Sequence, residues 1–307
     1  MKWRKHGVLW RPTGDQPWAR THATCPTPVA LNDGTLRVYL QCRDAHNVGR
    51  VGFVDLDPSD PTRILREAAS PVLDIGEPGA FDDNGVFPTS VLRVPDGRLF
   101  MYYVGFELCH HIRYRLLTGL AISEDDGWTF RRHKSTPILE RAPGELHIRG
   151  GPFVLLEAGR YRMWYVAGSE WETIDGKAMP IYDIRHIESP DGVHWPESGV
   201  VVVPVSLADE HGFGRPYVLR SASAYRMHYS IRKRNPARYR MGYAVSSDGI
   251  TWVRRDADIG IDISDAPFEN ETVCYGAEFE RAGTTWLLYN GNDFGGTGLC
   301  LAQRLAA

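Results

Sequence analysis

A short aromatic strand motif returns along this chain at intervals close to 62 residues, and that period restricts the fold more than any other feature. The segments are Leu36-Arg37-Val38-Tyr39-Leu40, Leu99-Phe100-Met101-Tyr102-Tyr103, Tyr161-Arg162-Met163-Trp164-Tyr165, Tyr225-Arg226-Met227-His228-Tyr229 and Trp286-Leu287-Leu288-Tyr289. Aligned on Val38, Met101, Met163, Met227 and Leu287, they stand 63, 62, 64 and 60 residues apart. Five units therefore account for nearly all 307 residues, and a single domain over residues 1–307 is expected.

Each unit repeats one internal order. A strand upstream of the aromatic one starts at Pro26, Pro88, Pro152 and Pro216, with Tyr275 in the fifth place. A third strand follows, as in Gly119-Leu120-Ala121-Ile122-Ser123 and Gly242-Tyr243-Ala244-Val245-Ser246, and then a turn and a fourth strand. The turns read Ser189-Pro190-Asp191-Gly192-Val193-His194-Trp195 and Ser246-Ser247-Asp248-Gly249-Ile250-Thr251-Trp252, with a longer version at 123–130. Asp-Gly supplies the positive φ that a tight hairpin turn needs, and the aromatic beyond it is placed to pack between sheets. These acids are read as turn geometry, not chemistry.

Thirty-one Gly, fourteen Tyr and nine Trp favour many short strands joined by turns over helices. Four strands per unit and five units in radial array predict an all-β fold, a five-bladed β-propeller with four-stranded antiparallel blades. The fifth unit ends after its third strand, while residues 2–11 resemble the fourth strand that begins at Trp128. The N-terminal strand is expected to complete blade 5 and close the ring.

In such an array the loops entering the innermost strands meet at one mouth of the central channel. They bring together Asp82, Asp83, Glu210, Glu269 and Glu271 with His22, His147, His211, Arg149 and Arg215. Opposed carboxylates beside arginines suit glycosidic bond chemistry, in which one acid protonates the leaving oxygen and another acts as base or nucleophile, and they also suit struts in which Arg and Asp/Glu pair with each other from blade to blade. Glu210 is assigned as general acid, Asp83 as base or nucleophile, and Glu271 as the group that orients them. His22, Arg43, Asp82, His147, Arg149, His211, Arg215, Glu269 and Tyr275 form the substrate-binding set. Trp171 stands where it can stack on a sugar at the rim. The reading requires no cofactor, although the channel histidines offer a place for a divalent cation.

Net charge is −3 without a basic block, which argues against a nucleic-acid partner. No apolar run reaches signal-peptide or membrane-span length, so a cytoplasmic protein without a membrane partner is expected. Five cysteines without CxxC spacing fit reduced, buried thiols.

The S-x-D-G-x-x-W turns, the Asp82-Asp83-Asn84-Gly85-Val86-Phe87-Pro88 segment before Met101-Tyr102-Tyr103-Val104-Gly105, and Tyr289-Asn290-Gly291-Asn292 resemble the five-bladed propeller glycosidase superfamily. That superfamily contains glycoside hydrolase families 32, 43, 68 and 130. The stretch from Val38 to Gly52 is similar to the first blade of the mannoside phosphorylases, and the whole chain resembles single-domain propellers associated with surface-polysaccharide gene clusters. The resemblance implies a carbohydrate-active enzyme acting on a sugar or glycan, with hydrolysis and phosphorolysis both open. Arginines near the mouth suit an anionic sugar or a phosphate co-substrate. Families 32, 43 and 68 carry an acid at the first innermost strand, and here that segment is Thr21-His22-Ala23-Thr24-Cys25-Pro26. The mannoside phosphorylases carry Glu-Asp-Pro in blade two, where this chain has Val86-Phe87-Pro88. A non-catalytic glycan-binding propeller, or another reaction in the same pocket, are the alternatives that these departures keep open.

Overall fold

A computed structural model describes residues 1–306. It begins with β1 (Trp3–Trp10), after which strands come in sets of four. The first set is β2 (Thr21–Ala30), β3 (Leu36–Arg43), β4 (Gly49–Leu56) and β5 (Ile64–Glu67). The second is β6 (Val86–Arg93), β7 (Leu99–Leu108), β8 (Tyr114–Ser123) and β9 (Arg131–Arg132). The third is β10 (Ile148–Glu157), β11 (Arg160–Ile174), β12 (Lys177–Ser189) and β13 (Val200–Val203). The fourth is β14 (Glu210–Arg220), β15 (Tyr225–Lys233), β16 (Tyr239–Ser246) and β17 (Val253–Arg254). The last set is β18 (Cys274–Arg281), β19 (Thr284–Asn290) and β20 (Leu299–Arg304), completed by β1.

Within every set neighbouring strands pair antiparallel in chain order. The second and third sets are also joined, through a short parallel pairing of Ile148 with Leu116 and Arg149 with Leu117. β1 pairs with β20 from Trp3–Arg304 to Trp10–Leu299, so the two ends of the chain share one sheet. The first strands of the sets touch one another in a closed circuit, β2–β6–β10–β14–β18 and back to β2.

Burial explains why these segments are strands. β3 is buried along almost its whole length, which suits an unbroken run such as Leu36-Arg37-Val38-Tyr39-Leu40, whereas β1 alternates exposed and half-buried residues. Core clusters form between successive sets rather than inside one. Tyr39 and Phe53 pack with Leu99, Met101 and Phe130, and Phe100 and Tyr102 pack with Met163, Tyr165 and Ile187. The sheets therefore stack face to face, each covering the apolar face of the next.

The Asp-Gly turns fasten this stack. Gly127, Gly192 and Gly249 have φ of 85°, 74° and 76°, and each turns its carbonyl to the aromatic strand of the preceding set. Tyr39 Oη donates to Gly127 O at 2.8 Å, Tyr102 Oη to Gly192 O at 2.9 Å, and Trp164 Nε1 to Gly249 O at 2.7 Å. Within the turn, Asp248 accepts from the backbone N–H of Ile250 and Thr251 at 2.8 and 2.7 Å. Those hydrogen bonds hold its carboxyl well below the usual carboxylate range.

Candidate functional site at the channel mouth

The acids that converge on the innermost strands have a common structural task. Asp82 accepts from Tyr103 Oη at 2.9 Å and from Arg132 Nε at 2.8 Å. Glu145 accepts from Tyr165 Oη at 2.9 Å, with Arg149 Nε at 2.6 Å and Arg185 Nη1 at 2.9 Å. Glu269 accepts from Tyr289 Oη at 2.8 Å and from Lys5 Nζ at 2.7 Å. Glu210 is held by two nitrogens of Arg254 at 2.9 and 2.6 Å, while the neighbouring Tyr229 phenol bonds Asp256 at 2.6 Å. All four acids are buried. In the first set the tyrosine position is Leu40, and the chain has Ala19 where the acid would stand; both are buried in one apolar cluster. Acid and phenol disappear together, as expected if the carboxylate exists to satisfy a buried hydroxyl and a cation.

This finding relocates several expected site residues. Asp82, Arg149, Glu210 and Glu269 are struts. Their charged groups are paired inside the sheets rather than turned toward the pocket, which is where the sequence reading expected them to meet a substrate. Arg215, only 2% exposed, reaches from the fourth set to Thr89 O at 3.4 Å and to the carbonyls of Tyr275 and Gly276 at 3.0 and 3.2 Å. Asp83 is half-buried and accepts from the backbone N–H of Gly79 at 2.8 Å.

A pocket of about 330 Å³ lies beside the β15–β16 hairpin. Its walls include His211, Arg232, Lys233, Tyr239, Glu271 and Asp293, together with Phe294. Glu271 is 57% exposed and pairs with Arg238 at 3.0 Å. Asp293 is 70% exposed, with Oδ2 at 3.4 Å from Nε2 of the buried His22. Burial, then the charge of Arg43, hold His22 down to about 4 despite Asp293. Burial and Arg232 likewise bring His211 to about 4; its Nδ1 lies 3.2 Å from Pro180 O. Both rings are neutral at pH 7.

Backbone strain gathers beside this pocket. His22, Cys25, Tyr275, Asp293 and Phe294 have φ between 52° and 65°, a region that costs a non-glycine residue about 1–3 kcal/mol and collects at functional sites. The buried Asn290 holds two of these segments together. It accepts from Cys25 N–H at 2.8 Å and donates to Ala23 O at 2.7 Å. Thr24 Oγ1 donates to Phe294 O at 2.7 Å, and Tyr275 N–H donates to Ser230 Oγ at 2.8 Å.

The three mouth histidines do not converge. His147 accepts from Trp171 Nε1 at 3.1 Å and lines a second, more open cleft of about 470 Å³ with Glu107, Cys109, His110 and His111. Among the described residues no three His, Cys, Asp or Glu side chains form a metal-ligand set. Trp171 packs against Tyr114 at 5.3 Å. Cys25, Cys42, Cys274 and Cys300 are free and buried, and Cys109 is half-buried.

Of the residues that the sequence reading gathered at the mouth, Glu271 and His211 line this pocket, and His22 touches Asp293 in its wall; Arg232, Tyr239 and Asp293 line it without having been singled out. One signal was available. Arg43 and Arg232 each stand five residues after the alignment points Val38 and Met227, so the repeat register marks them as equivalent.

No protein-family model matches the chain. It is 36% identical over 305 residues to "Uncharacterized protein Rv1502" of Mycobacterium tuberculosis H37Rv, a match covering 98% of this chain and 99% of that protein. Among solved structures it is similar to a glycoside hydrolase, with a TM-score of 0.74, 18% identity, and coverage of 99% and 92%. It is similar to the structure of a BT0996 RGII complex, with a TM-score of 0.73, 19% identity, and coverage of 98% and 91%. A thermostable family-43 glycoside hydrolase gives 0.68, 16%, and coverage of 95% and 92%. At these identities the likeness is one of fold, that of the propeller glycosidases.

Proposed function

The chain belongs to the family of the mycobacterial protein Rv1502, and from that premise we propose that it is a five-bladed, glycosidase-like propeller that processes a sugar at its mouth pocket. The blade count rests on five four-strand sets whose first strands touch in a closed circuit. The observation that carries the functional reading is the division of the acids. Asp82, Glu145, Glu210 and Glu269 are consumed by struts, whereas Glu271 and Asp293 line the pocket with most of their side-chain surface exposed.

In this reading Glu271 and Asp293 are the pair that acts on the glycosidic bond. One, as the carboxylic acid, protonates the leaving oxygen; the other, as carboxylate, attacks the anomeric carbon or activates water. His22 positions Asp293 from behind, and the phenol and phenyl faces of Tyr239 and Phe294, 5.5 Å apart, offer a wall for the sugar ring. Glu210, the acid expected from the sequence, supports Lys233 from 3.6 Å below the pocket.

The test is turnover of aryl-glycosides and oligosaccharides, with and without phosphate, by the wild type and by Glu271→Gln and Asp293→Asn. Each substitution is expected to lower kcat by about 10²–10⁴-fold, and phosphate dependence separates phosphorolysis from hydrolysis. Unchanged turnover in both variants would overturn the assignment. The strut arrangement also favours a second reading, a glycan-binding propeller without chemistry, for which bound sugar would be recovered intact after long incubation.

A further inference from the structure

The mouth carries positive charge that the chain leaves largely unanswered. Arg132, Arg149, Arg185 and Arg254 each have a carboxylate partner. Arg43 and Arg232, at the ends of β3 and β15, form no salt bridge among the described residues. Arg43 donates to Gln41 Oε1 at 3.2 Å and Asn47 Oδ1 at 3.0 Å. Arg232 donates to the phenol of Tyr182 at 2.8 Å. Arg215 lies behind them with only backbone carbonyls as partners. Asp293 offsets the charge of Arg43 only in part, because burial, the larger effect, draws that guanidinium below its ordinary range.

Aromatic rings extend from Arg232 toward Arg43. Arg232 lies over Tyr239 at 5.4 Å and over Tyr182 at 5.8 Å, and Tyr239 packs on Tyr275 at 5.7 Å; Arg43 pairs across the β2–β3 ladder with Thr21, next to His22, whose Nε2 lies 3.4 Å from Asp293 of the pocket. Burial pushes all three phenols up, so they are neutral hydroxyls at pH 7. Tyr182 is wedged in place, because a Cβ on Gly212 would meet its ring at 2.7 Å. A guanidinium withdrawn from water without an anion is costly, and neutral phenols stack on it without cancelling its charge.

We infer that the site takes a sugar bearing an oxyanion, either a ring carboxylate or a phosphate, seated along the row Arg43–Tyr275–Tyr239–Arg232. This rests on the carbohydrate reading above and deepens it. Both anions match the fork of an arginine, and phenolic hydroxyls can donate to the remaining oxygens while their rings face the sugar. The anion supplies the negative charge that the blades give to every strut and withhold here.

Titration calorimetry of the full chain with glucuronate, glucose, glucose 6-phosphate and orthophosphate tests this. At least one oxyanion should bind about tenfold or more tightly than glucose, as charge-assisted hydrogen bonds imply, and added salt should weaken the preference. Glucuronate and the phosphates distinguish the two anion sources. Arg43→Gln and Arg232→Gln should each remove the preference, read as the ratio of oxyanion to glucose affinity, with thermal unfolding checking that they fold. If Arg232→Gln fails to fold, Arg232→Lys should retain part of the preference. Equal binding of all four probes by the wild type, or an undiminished preference in the folded variants, would overturn the inference. Oxyanion preference without turnover of any glycoside would leave it standing and remove the catalytic reading. Turnover of neutral glycosides without that preference would do the reverse.

Discussion

At the scale of the residue, the buried acids show how one spacing serves two purposes. Asp82, Glu145, Glu210 and Glu269 precede Tyr103, Tyr165, Tyr229 and Tyr289 by about twenty residues, and regular placement at the innermost strands reads naturally as chemistry converging on a channel. Position along the repeat says which end of the sheet a side chain occupies; it does not say which partner consumes it. The discriminating clue was the paired loss of acid and phenol at Ala19 and Leu40. Glu269 gives the sharpest test, since it is 1% exposed and bonds Tyr289, Lys5 and Ser264. Glu269→Gln is expected to cost about 1.5–3 kcal/mol, the usual worth of hydrogen bonds to a charged group, because the Lys5 it leaves unpaired is partly exposed. Denaturant unfolding measures it, and a loss under about 1 kcal/mol would deny the strut. Binding of glucose at the mouth should be unaffected in the folded fraction. The pocket arginines were harder to find for the opposite reason: Arg43 and Arg232 sit at strand ends whose fate depends on hairpin geometry, and only their shared register links them.

At the scale of the element, the Asp-Gly turns were the most legible feature, because hairpin chemistry is local. Gly for positive φ and Asp for the backbone N–H groups are choices made within six residues. The structure adds what local reasoning lacks, namely that the turn carbonyl is the acceptor for an aromatic about ninety residues earlier, with Trp195 and Trp252 sharing the same oxygens at 3.2 and 2.9 Å. Gly249 therefore meets two demands. A Cβ there would lie 3.0 Å from Trp164 and from Arg162, and φ is 76°. Gly249→Ala should cost about 2–3 kcal/mol, combining left-handed strain with displacement of a buried indole. The same substitution at Gly34, where φ is 83° and nothing lies within 4 Å, should cost only the strain, about 1 kcal/mol. Unfolding midpoints of the two variants compare the terms directly, and equal losses would show that the turn does not act between sheets.

At the scale of the whole molecule, the repeat made the strand order readable, since five copies of one pattern average out the ambiguity of each. Closure was readable too, through the likeness of Trp3–Trp10 to a fourth strand. β1 completes the last sheet by pairing along β20 from Arg304 to Leu299, and it brings Lys5 to Glu269 and Trp3 Nε1 to Ile259 O at 2.7 Å. Deleting residues 1–11 would bare the edge of β20, expose Leu299, Leu301 and Trp286 on one side, and leave Glu269 buried without its cation. An exposed edge over an apolar face favours aggregation, and the lost terms taken together are comparable with the roughly 5–15 kcal/mol that holds a typical domain together. The deletion should abolish the cooperative unfolding transition rather than lower its midpoint. A permuted chain separates loss of the strand from loss of the terminus. Trp3 faces Arg304 across the sheet, so moving residues 1–11 behind the C-terminus through a short linker turns β20 and β1 into an ordinary hairpin. The permuted chain should unfold cooperatively near the wild-type midpoint, because every pairing survives and only the connection changes. If the deletion melts as the wild type does, β1 is a passenger on the last sheet. If both deletion and permutation lose the transition, the terminus matters through something other than its place beside β20.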